Sequence, residues 1–134
     1  MELTNGIRNY LQQPLFPVLA TINPNGTPQQ SVIWFELVGD EILMNTRRGR
    51  RKDRNLRRDP RASLCFVDGY RYVTIRGITR LVDDQETAQA DIRRLATRYG
   101  GPEKAEQQMA TQFGREERVT VWLSIQGIVG YGYD

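Results

Sequence analysis

The residues with the most distinctive chemistry in this 134-residue sequence lie in a basic segment between positions 47 and 58. The segment contains seven arginines, one lysine and a single acid, Asp53, for a net charge of +7, whereas the whole chain carries +3. The rest of the chain therefore sums to −4. Because the cations are concentrated in one place, they indicate a local anionic partner rather than a generally basic protein.

The basic segment follows directly on Asn45 and Thr46, the polar end of a predicted strand. An amide, a hydroxyl, backbone N–H groups near Gly49, guanidinium groups and the Lys52 ammonium would meet there, and such groups bind phosphate and carboxylate. A phosphorylated small molecule is therefore one candidate ligand. A solvated charged surface and a nucleic-acid interface are the alternatives. The nucleic-acid interface is not supported by a helix-turn-helix pattern, a zinc-finger pattern or interleaved aromatic residues, so we expect no nucleic-acid partner.

Two features of the composition narrow the chemistry that side chains could do. The sequence has no histidine, which removes the commonest metal ligand, the usual general base near neutral pH and every Ser-His triad. Its one cysteine, Cys65, lies in an apolar run, so we expect a buried thiol, no disulfide and no metal site. No catalytic residue stands out, and the difficult chemistry of an enzyme would come from a bound cofactor.

Strand patterns indicate how the basic segment is positioned. Asn25-Gly26 and Gly39-Asp40 are turn signals that separate three strands of a predicted meander, and Gly77 predicts a bulge in a later strand. Trp34 lies on the second strand, as a core residue or as a wall for a flat ring. The predicted strands cover 18–23, 29–38, 41–46, 61–67, 70–82 and the C-terminal run that begins at 118.

Helical patterns flank these strands. Residues 2–13 predict a short amphipathic helix, and the basic segment predicts two short helical turns that stop at Asp59-Pro60. A capping box of Asp83 and Glu86 predicts the start of a helix that ends at Gly100-Gly101. A weaker helix is predicted over 102–113.

These elements predict a mainly β protein, a six-stranded antiparallel barrel with helices packed outside, in one domain over residues 1–134. No apolar run approaches the length that crosses a bilayer, and the N-terminus lacks the basic start and apolar core of a signal peptide. We therefore expect a cytoplasmic protein with no membrane partner.

The sequence resembles the pyridoxamine-5′-phosphate-oxidase-like family of flavin and deazaflavin proteins, and within it the branch assigned to coenzyme F420. The resemblance covers nearly the whole chain and is carried by "LATINPNGTPQQSVIWFELVGDEILMNT", "TRRGRRKDRNLRRDPRASLCF", "YRYVTIRGITRLVDD" and "ERVTVWLSIQGIVGYG". It implies a split β-barrel of the FMN-binding type that works as a homodimer, with the cofactor at the subunit interface. It also implies that the cofactor phosphate is held where the third strand meets the basic segment.

Carried over position by position, the resemblance implies ten cofactor-binding residues. Six would surround the phosphate and four would lie along the ring system: Asn45, Thr46, Arg50, Arg51, Lys52 and Asn55 for the phosphate, and Ser31, Val32, Ile33 and Trp34 for the ring. Ser31 stands where oxidases that bind FMN usually carry an arginine that grips the phosphate. This departure favours F420 over FMN, and the anionic oligoglutamate tail of F420 matches the long cationic segment.

The function that this resemblance implies is an F420H2-dependent reductase, which transfers a hydride from the deazaflavin C5 to an unsaturated or electrophilic small molecule. Two alternatives remain open. One is an FMN-binding oxidoreductase related to pyridoxamine phosphate oxidase. The other is a protein that binds F420 or a flavin without catalysing a reaction.

Overall fold

A computed structural model describes residues 3–133 as an antiparallel β-sheet of seven strands with four α-helices around it. The bounds, in chain order, are α1 Asn5–Leu11, β1 Val18–Ile22, β2 Pro28–Val32, β3 Glu36–Val38, β4 Glu41–Arg47, α2 Arg51–Arg58, β5 Arg61–Asp68, β6 Arg71–Val82, α3 Gln85–Gly100, α4 Pro102–Thr111 and β7 Arg118–Tyr131. A 3₁₀ turn, Phe113–Arg115, links α4 to β7. The prediction of a mainly β protein with peripheral helices is confirmed. The first helix is shorter than predicted, and residue 2 of that prediction lies outside the described residues.

The predicted strand 29–38 is wrong, because the chain leaves the sheet in its middle. β2 ends at Val32, β3 begins at Glu36, and the two strands occupy opposite edges of the strand order β2-β1-β5-β6-β7-β4-β3. Residues 33–35 cross between the edges, with Ile33 and Phe35 buried in the core. This crossover gives seven strands instead of six and replaces the predicted meander of three strands.

The crossover also requires a strongly curved sheet. Val32 and Glu36 are four residues apart, which spans at most about 14 Å of extended chain. The two sheet edges therefore approach each other at this point, although β2 and β3 form no ladder within residues 3–133. The sheet is open at the place where the crossover passes.

A bulge between β6 and β7 adds to this curvature and confirms the prediction at Gly77. Arg76 pairs with Gly127 while Gly77 pairs with Ile125, so Gln126 is an extra residue on β7. A side chain at Gly77 is excluded, because its Cβ would lie 2.0 Å from the Ser124 carbonyl oxygen. The long β7 can therefore bend, and it pairs with β4 through its first half and with β6 along most of its length.

Helix α3 packs against β4 and β7, and its buried residues are Ala88, Ile92, Leu95 and Ala96. Its N-cap is Asp84, whose carboxylate accepts a hydrogen bond from the Thr87 N–H at 3.1 Å, so the predicted capping box at Asp83 is wrong by one residue. Asp83 instead binds arginines of the basic segment. The predicted stop at Gly100-Gly101 is confirmed, since Gly101 has a φ of 87° that favours glycine.

Candidate functional site

A cleft of about 200 Å³ opens where the crossover 33–35, the end of β4, the start of α2 and the start of β7 meet. Seven of the ten predicted cofactor-binding residues line it: Val32, Ile33, Trp34, Asn45, Thr46, Arg50 and Lys52. Four further lining residues were not predicted as site residues: Ile92, Gln112, Phe113 and Arg118. The fold thus brings seven of the predicted phosphate and ring residues to one cleft, and their role in cofactor binding stays a prediction.

Three cations surround the cleft, and none of the residues that line it within 3–133 is acidic. In that described part of the chain, Arg50 and Lys52 form no ion pair. The Lys52 ammonium donates a hydrogen bond to Ser31 Oγ at 3.1 Å. Burial, with the nearby charges of Arg50 and Arg118, lowers the pKa of Lys52. A bound anion would neutralise the unpaired charges of Arg50 and Lys52 and reduce their repulsion, so the cleft favours an anionic ligand.

The third cation, Arg118, is a site residue that only the tertiary structure reveals. The residue is 5% exposed, and its Nη1 donates to Glu116 Oε1 at 2.7 Å. Its Nε donates to Asn45 Oδ1 at 3.0 Å, and the Asn45 amide in turn donates to the Ala88 carbonyl at 2.9 Å. Burial lowers the pKa of Arg118, yet a guanidinium remains charged in proteins. Asn45 therefore fixes the position of Arg118 and has little hydrogen-bonding capacity left for a ligand.

Thr46 provides a polar group in the cleft that has no protein partner. Its hydroxyl oxygen is buried, and no described residue forms a hydrogen bond with it. A buried hydroxyl without a partner costs about 1–3 kcal/mol. A phosphate oxygen or another ligand acceptor would remove this cost, because the hydroxyl can donate to it.

An aromatic wall forms the other side of the cleft. Trp34 stacks on Tyr99 with ring centroids 5.1 Å apart and contacts the edge of Phe113 at 5.9 Å. The Tyr99 hydroxyl accepts a hydrogen bond from the Phe35 N–H at 3.2 Å and donates to the Leu15 carbonyl, which holds the crossover in place. The Trp34 ring is therefore fixed on one side by Tyr99, and it lines the cleft of about 200 Å³.

The loop that presents Arg50 and Lys52 is held by Asp53. One carboxylate oxygen of Asp53 accepts from the Gly49 N–H at 2.7 Å and the other accepts from Arg57 Nε at 2.9 Å, while the residue is 2% exposed. Gly49 has a φ of 89°, which few other residues adopt. The one acid of the basic segment thus has a structural role at the start of α2.

The basic segment divides into two groups of cations. The paired cations, Arg47, Arg48 and Arg57, form ion pairs with Asp53, Asp83, Glu116 and Glu117. The unpaired cations are the five that form no ion pair within residues 3–133: Arg50, Arg51, Lys52, Arg54 and Arg58. Only the second group has charge available for a ligand.

Three predicted residues lie outside the cleft lining. Ser31 accepts a hydrogen bond from Lys52, and Arg51 is exposed on α2. Asn55 is buried and donates to Thr21 Oγ1 and Asn23 Oδ1, which ties α2 to the first hairpin. Asn55 therefore has a structural role next to the site. Cys65 is half-buried rather than buried as predicted.

No helix within residues 3–133 combines the length and apolar character that a bilayer-spanning helix requires. The same residues contain no cluster of three histidine, cysteine or acidic side chains with metal-binding geometry.

A family model and a curated relative indicate the same family. The sequence model of the family described as pyridoxamine 5′-phosphate oxidase matches residues 3–128. A pyridoxine/pyridoxamine 5′-phosphate oxidase from Acidothermus cellulolyticus is 31% identical over 86 residues, which are 62% of this chain and 38% of that protein. The aligned region thus spans well under half the length of that curated relative.

Solved structures extend the similarity over nearly the whole chain. A structure named F420 reductase is 27% identical with a TM-score of 0.76, and the match covers 94% of this chain and 98% of that one. A conserved hypothetical protein from Mycobacterium tuberculosis is 28% identical with a TM-score of 0.79, covering 93% of this chain and 81% of the other.

Proposed function

This chain belongs to the pyridoxamine 5′-phosphate oxidase family, and we propose that it is an oxidoreductase that uses reduced coenzyme F420, held in the cleft, to reduce an unsaturated or electrophilic small molecule. The observation that carries the proposal is the trio Arg50, Lys52 and Arg118 around a cleft whose lining has no acid within the described residues. Such a site favours a phosphorylated ligand.

The residues present fit a phosphorylated flavin or deazaflavin. The buried Thr46 hydroxyl without a partner and the two cations without a counter-ion meet the needs of a phosphate group. Trp34, Ile33 and Phe113 offer an apolar wall to a flat ring. One ligand with both a phosphate and a ring would use both sides of the cleft.

Two observations favour F420 over FMN. Ser31 leaves the strand-two position without the arginine that the family's FMN oxidases usually use for the phosphate. The unpaired Arg51 and Arg54 are exposed on α2 outside the cleft, where the carboxylates of a longer anionic tail could reach them. FMN has no such tail, so these two arginines would be without a partner in an FMN protein.

The bound deazaflavin would supply a hydride at its ring C5. The chain's own residues would orient the ring against Trp34 and keep water from that face, while Arg50, Lys52 and Arg118 fix the phosphate. None of Ile33, Trp34 and Phe113 on the apolar side has a proton acidic enough to transfer near neutral pH, and the Tyr99 hydroxyl donates its hydrogen bond to the Leu15 carbonyl. We therefore infer that the product receives its proton from water.

A second copy of this chain is the proposed partner. The outer face of the sheet carries an in-register row, Val32, Val18, Cys65, Thr74 and Val129, which crosses five strands. Val32 and Val129 are each 59% exposed, and the exposed apolar side chains of Val67, Tyr72 and Tyr131 adjoin the row. Val32 also lines the cleft, so a copy docked on this row would complete the cleft as well.

Sedimentation velocity tests the dimer. We expect wild type to sediment as a dimer at micromolar concentration and Val129→Glu to sediment as a monomer with weaker cofactor binding. Gln107→Glu, which introduces the same charge on exposed α4, is the control. A monomeric wild type would refute the proposed partner.

Fluorescence titration with F420 and with FMN tests the cofactor. Saturable F420 binding with weaker FMN binding, followed by oxidation of F420H2 with an electrophilic acceptor, is the expected result. The variant Arg51→Ala/Arg54→Ala should weaken F420 binding and leave FMN binding unchanged. Tighter FMN binding would favour the FMN oxidoreductase, and tight F420 binding without turnover would favour the non-catalytic binding protein.

A further inference from the structure

We propose that Lys52 is a reactive amine that forms an imine with aldehydes that carry a phosphate group and a flat ring. The chain uses arginine for 17 of its 19 basic residues, and its two lysines are Lys52 and Lys104. Lys104 is exposed on α4, whereas Lys52 lies in the cleft. Arginine can bind phosphate but does not act as a nucleophile at neutral pH, so a lysine at this position adds a chemical capability to the site.

The surroundings of Lys52 favour the neutral amine that imine formation requires. Lys52 is partly buried, has no carboxylate partner within residues 3–133, and is near the positive charges of Arg50 and Arg118. Its one hydrogen-bond partner, Ser31 Oγ, is uncharged. Burial and neighbouring cations are the two means by which proteins activate a lysine as a nucleophile, and both lower the pKa of Lys52.

The rest of the cleft matches the other parts of such an aldehyde. Arg50 and Arg118 lie near enough to Lys52 to shift its protonation and can hold the phosphate, and the free Thr46 hydroxyl can donate to a phosphate oxygen. Trp34 and Phe113 provide the apolar wall for the ring. An aldehyde anchored through phosphate and ring would have its carbonyl carbon confined to the same small cleft as the amine, which raises the rate of addition.

The reaction is a condensation without oxidation or reduction. The Lys52 nitrogen attacks the aldehyde carbon, a C–N bond forms, and the carbonyl oxygen leaves as water with two protons that come from the amine. A C=N bond then joins Lys52 to the ligand. No co-reactant is needed, and hydrolysis by water reverses the step.

The proposed cofactor and the aldehyde would compete for one cleft. A bound phosphate would restore the positive charge of Lys52, since a nearby anion favours the ammonium form. A bound cofactor should therefore protect Lys52 from the aldehyde both by occupying the site and by keeping the amine protonated.

The test uses pyridoxal 5′-phosphate as the phosphorylated aldehyde and borohydride to trap the imine, followed by peptide mass spectrometry of the wild-type protein. Because phosphate anchoring raises the effective concentration of the aldehyde, we expect Lys52 to be labelled about ten times faster than Lys104. Pyridoxal, which lacks the phosphate, should lose this preference. Equal labelling of the two lysines by pyridoxal 5′-phosphate would overturn the proposal.

Variants and competitors separate this proposal from the proposed function. Lys52→Arg keeps the charge and should abolish the imine absorbance, whereas Lys104→Arg should leave it unchanged; an unchanged signal in Lys52→Arg would also overturn the proposal. F420, FMN and inorganic phosphate should each slow the labelling of Lys52 if they occupy the cleft. Selective labelling of Lys52 without protection by F420 or FMN would support the imine proposal and count against the proposed cofactor. F420 binding without selective labelling of Lys52 would support the cofactor and overturn the imine proposal.

Discussion

The two groups of cations in the basic segment have the same side-chain chemistry and different surroundings. The paired Arg48 and Arg57 bind Asp83, and Arg57 also binds the buried Asp53. The unpaired Arg50 and Lys52 face a cleft whose lining has no acid within residues 3–133. The paired cations stabilise the loop between β4 and α2, and this loop positions the unpaired Arg50 and Lys52 at the cleft. Sequence composition alone assigns all of these residues to one cationic surface, whereas the structure divides them into support and site.

This division predicts that affinity and stability can be changed separately. Arg50→Ala/Lys52→Ala should lower the affinity for F420 or FMN about 100-fold or more, because each charged hydrogen bond contributes about 1.5–3 kcal/mol. The free energy of unfolding without ligand should not fall, since the variant removes mutual repulsion and no ion pair. Titration calorimetry and urea denaturation measure the two quantities. Unchanged affinity in this variant would refute the site assignment.

The opposite result is expected for the paired group. Arg57→Ala leaves the buried Asp53 with only the Gly49 N–H as a partner and should lower the free energy of unfolding by about 1–2 kcal/mol. Ligand affinity should change by much less than in the double variant, because Arg57 does not line the cleft. Arg93→Ala, which removes an exposed pair with Glu106, is the matched control and should have little effect on either quantity. A large loss of affinity in Arg57→Ala would remove the distinction between the two groups.

Asp53 gives a sharper test, because its charge and its role in positioning the loop predict opposite changes in phosphate affinity when it is replaced. Asp53→Asn removes a negative charge near the cleft, so electrostatics alone predicts tighter binding of a phosphate. The same change weakens the contacts to Gly49 and Arg57 that fix the loop. If the role of Asp53 is to position Arg50 and Lys52, phosphate binding should weaken several-fold, since a misplaced ligand contact is costly. Tighter binding would show that charge, not loop position, dominates at this site.

The sequence predicted the part of the site that is continuous along the chain. Asn45, Thr46, Arg50 and Lys52 are close in sequence, so a strand followed by a basic turn keeps them near one another. Arg118, in contrast, reaches Asn45 only because β7 pairs with β4 in register, and a lone arginine before a strand gives no local signal of this. Contacts across 73 residues are outside the reach of local patterns.

The crossover shows a second limit of local patterns. Val32, Ile33, Trp34 and Phe35 form an apolar run that is typical of a strand, and hydrophobic periodicity cannot reveal that the run leaves one sheet edge for the other. Asp83 shows the same limit for charge. An acid before a helix predicts an N-cap, yet Asp83 forms ion pairs with Arg48 and Arg57 from another part of the chain.

The pH dependence of binding gives the smallest and most specific contrast between the groups. The pKa of Lys52 is lowered in the ligand-free protein, mainly by burial, and Arg50 and Arg118 are the charged groups that face it. A bound phosphate raises that pKa again, so binding takes up a proton and affinity should fall as pH rises through the lowered pKa of Lys52. Stability of the ligand-free protein should rise through the same range, because the unfolded chain binds more protons there.

Calorimetric titration between pH 7.5 and about 10 measures this dependence, since a phosphate monoester with a second pKa of about 6 stays a dianion throughout. We expect affinity for FMN to fall several-fold in wild type. Lys52→Arg should flatten the curve, because a guanidinium stays charged over this range. Arg57→Ala, which changes only a paired cation, should retain the wild-type slope. A flat curve in wild type would mean that Lys52 keeps its proton with or without the ligand, and the imine chemistry proposed for Lys52 would then lose the neutral amine that it requires.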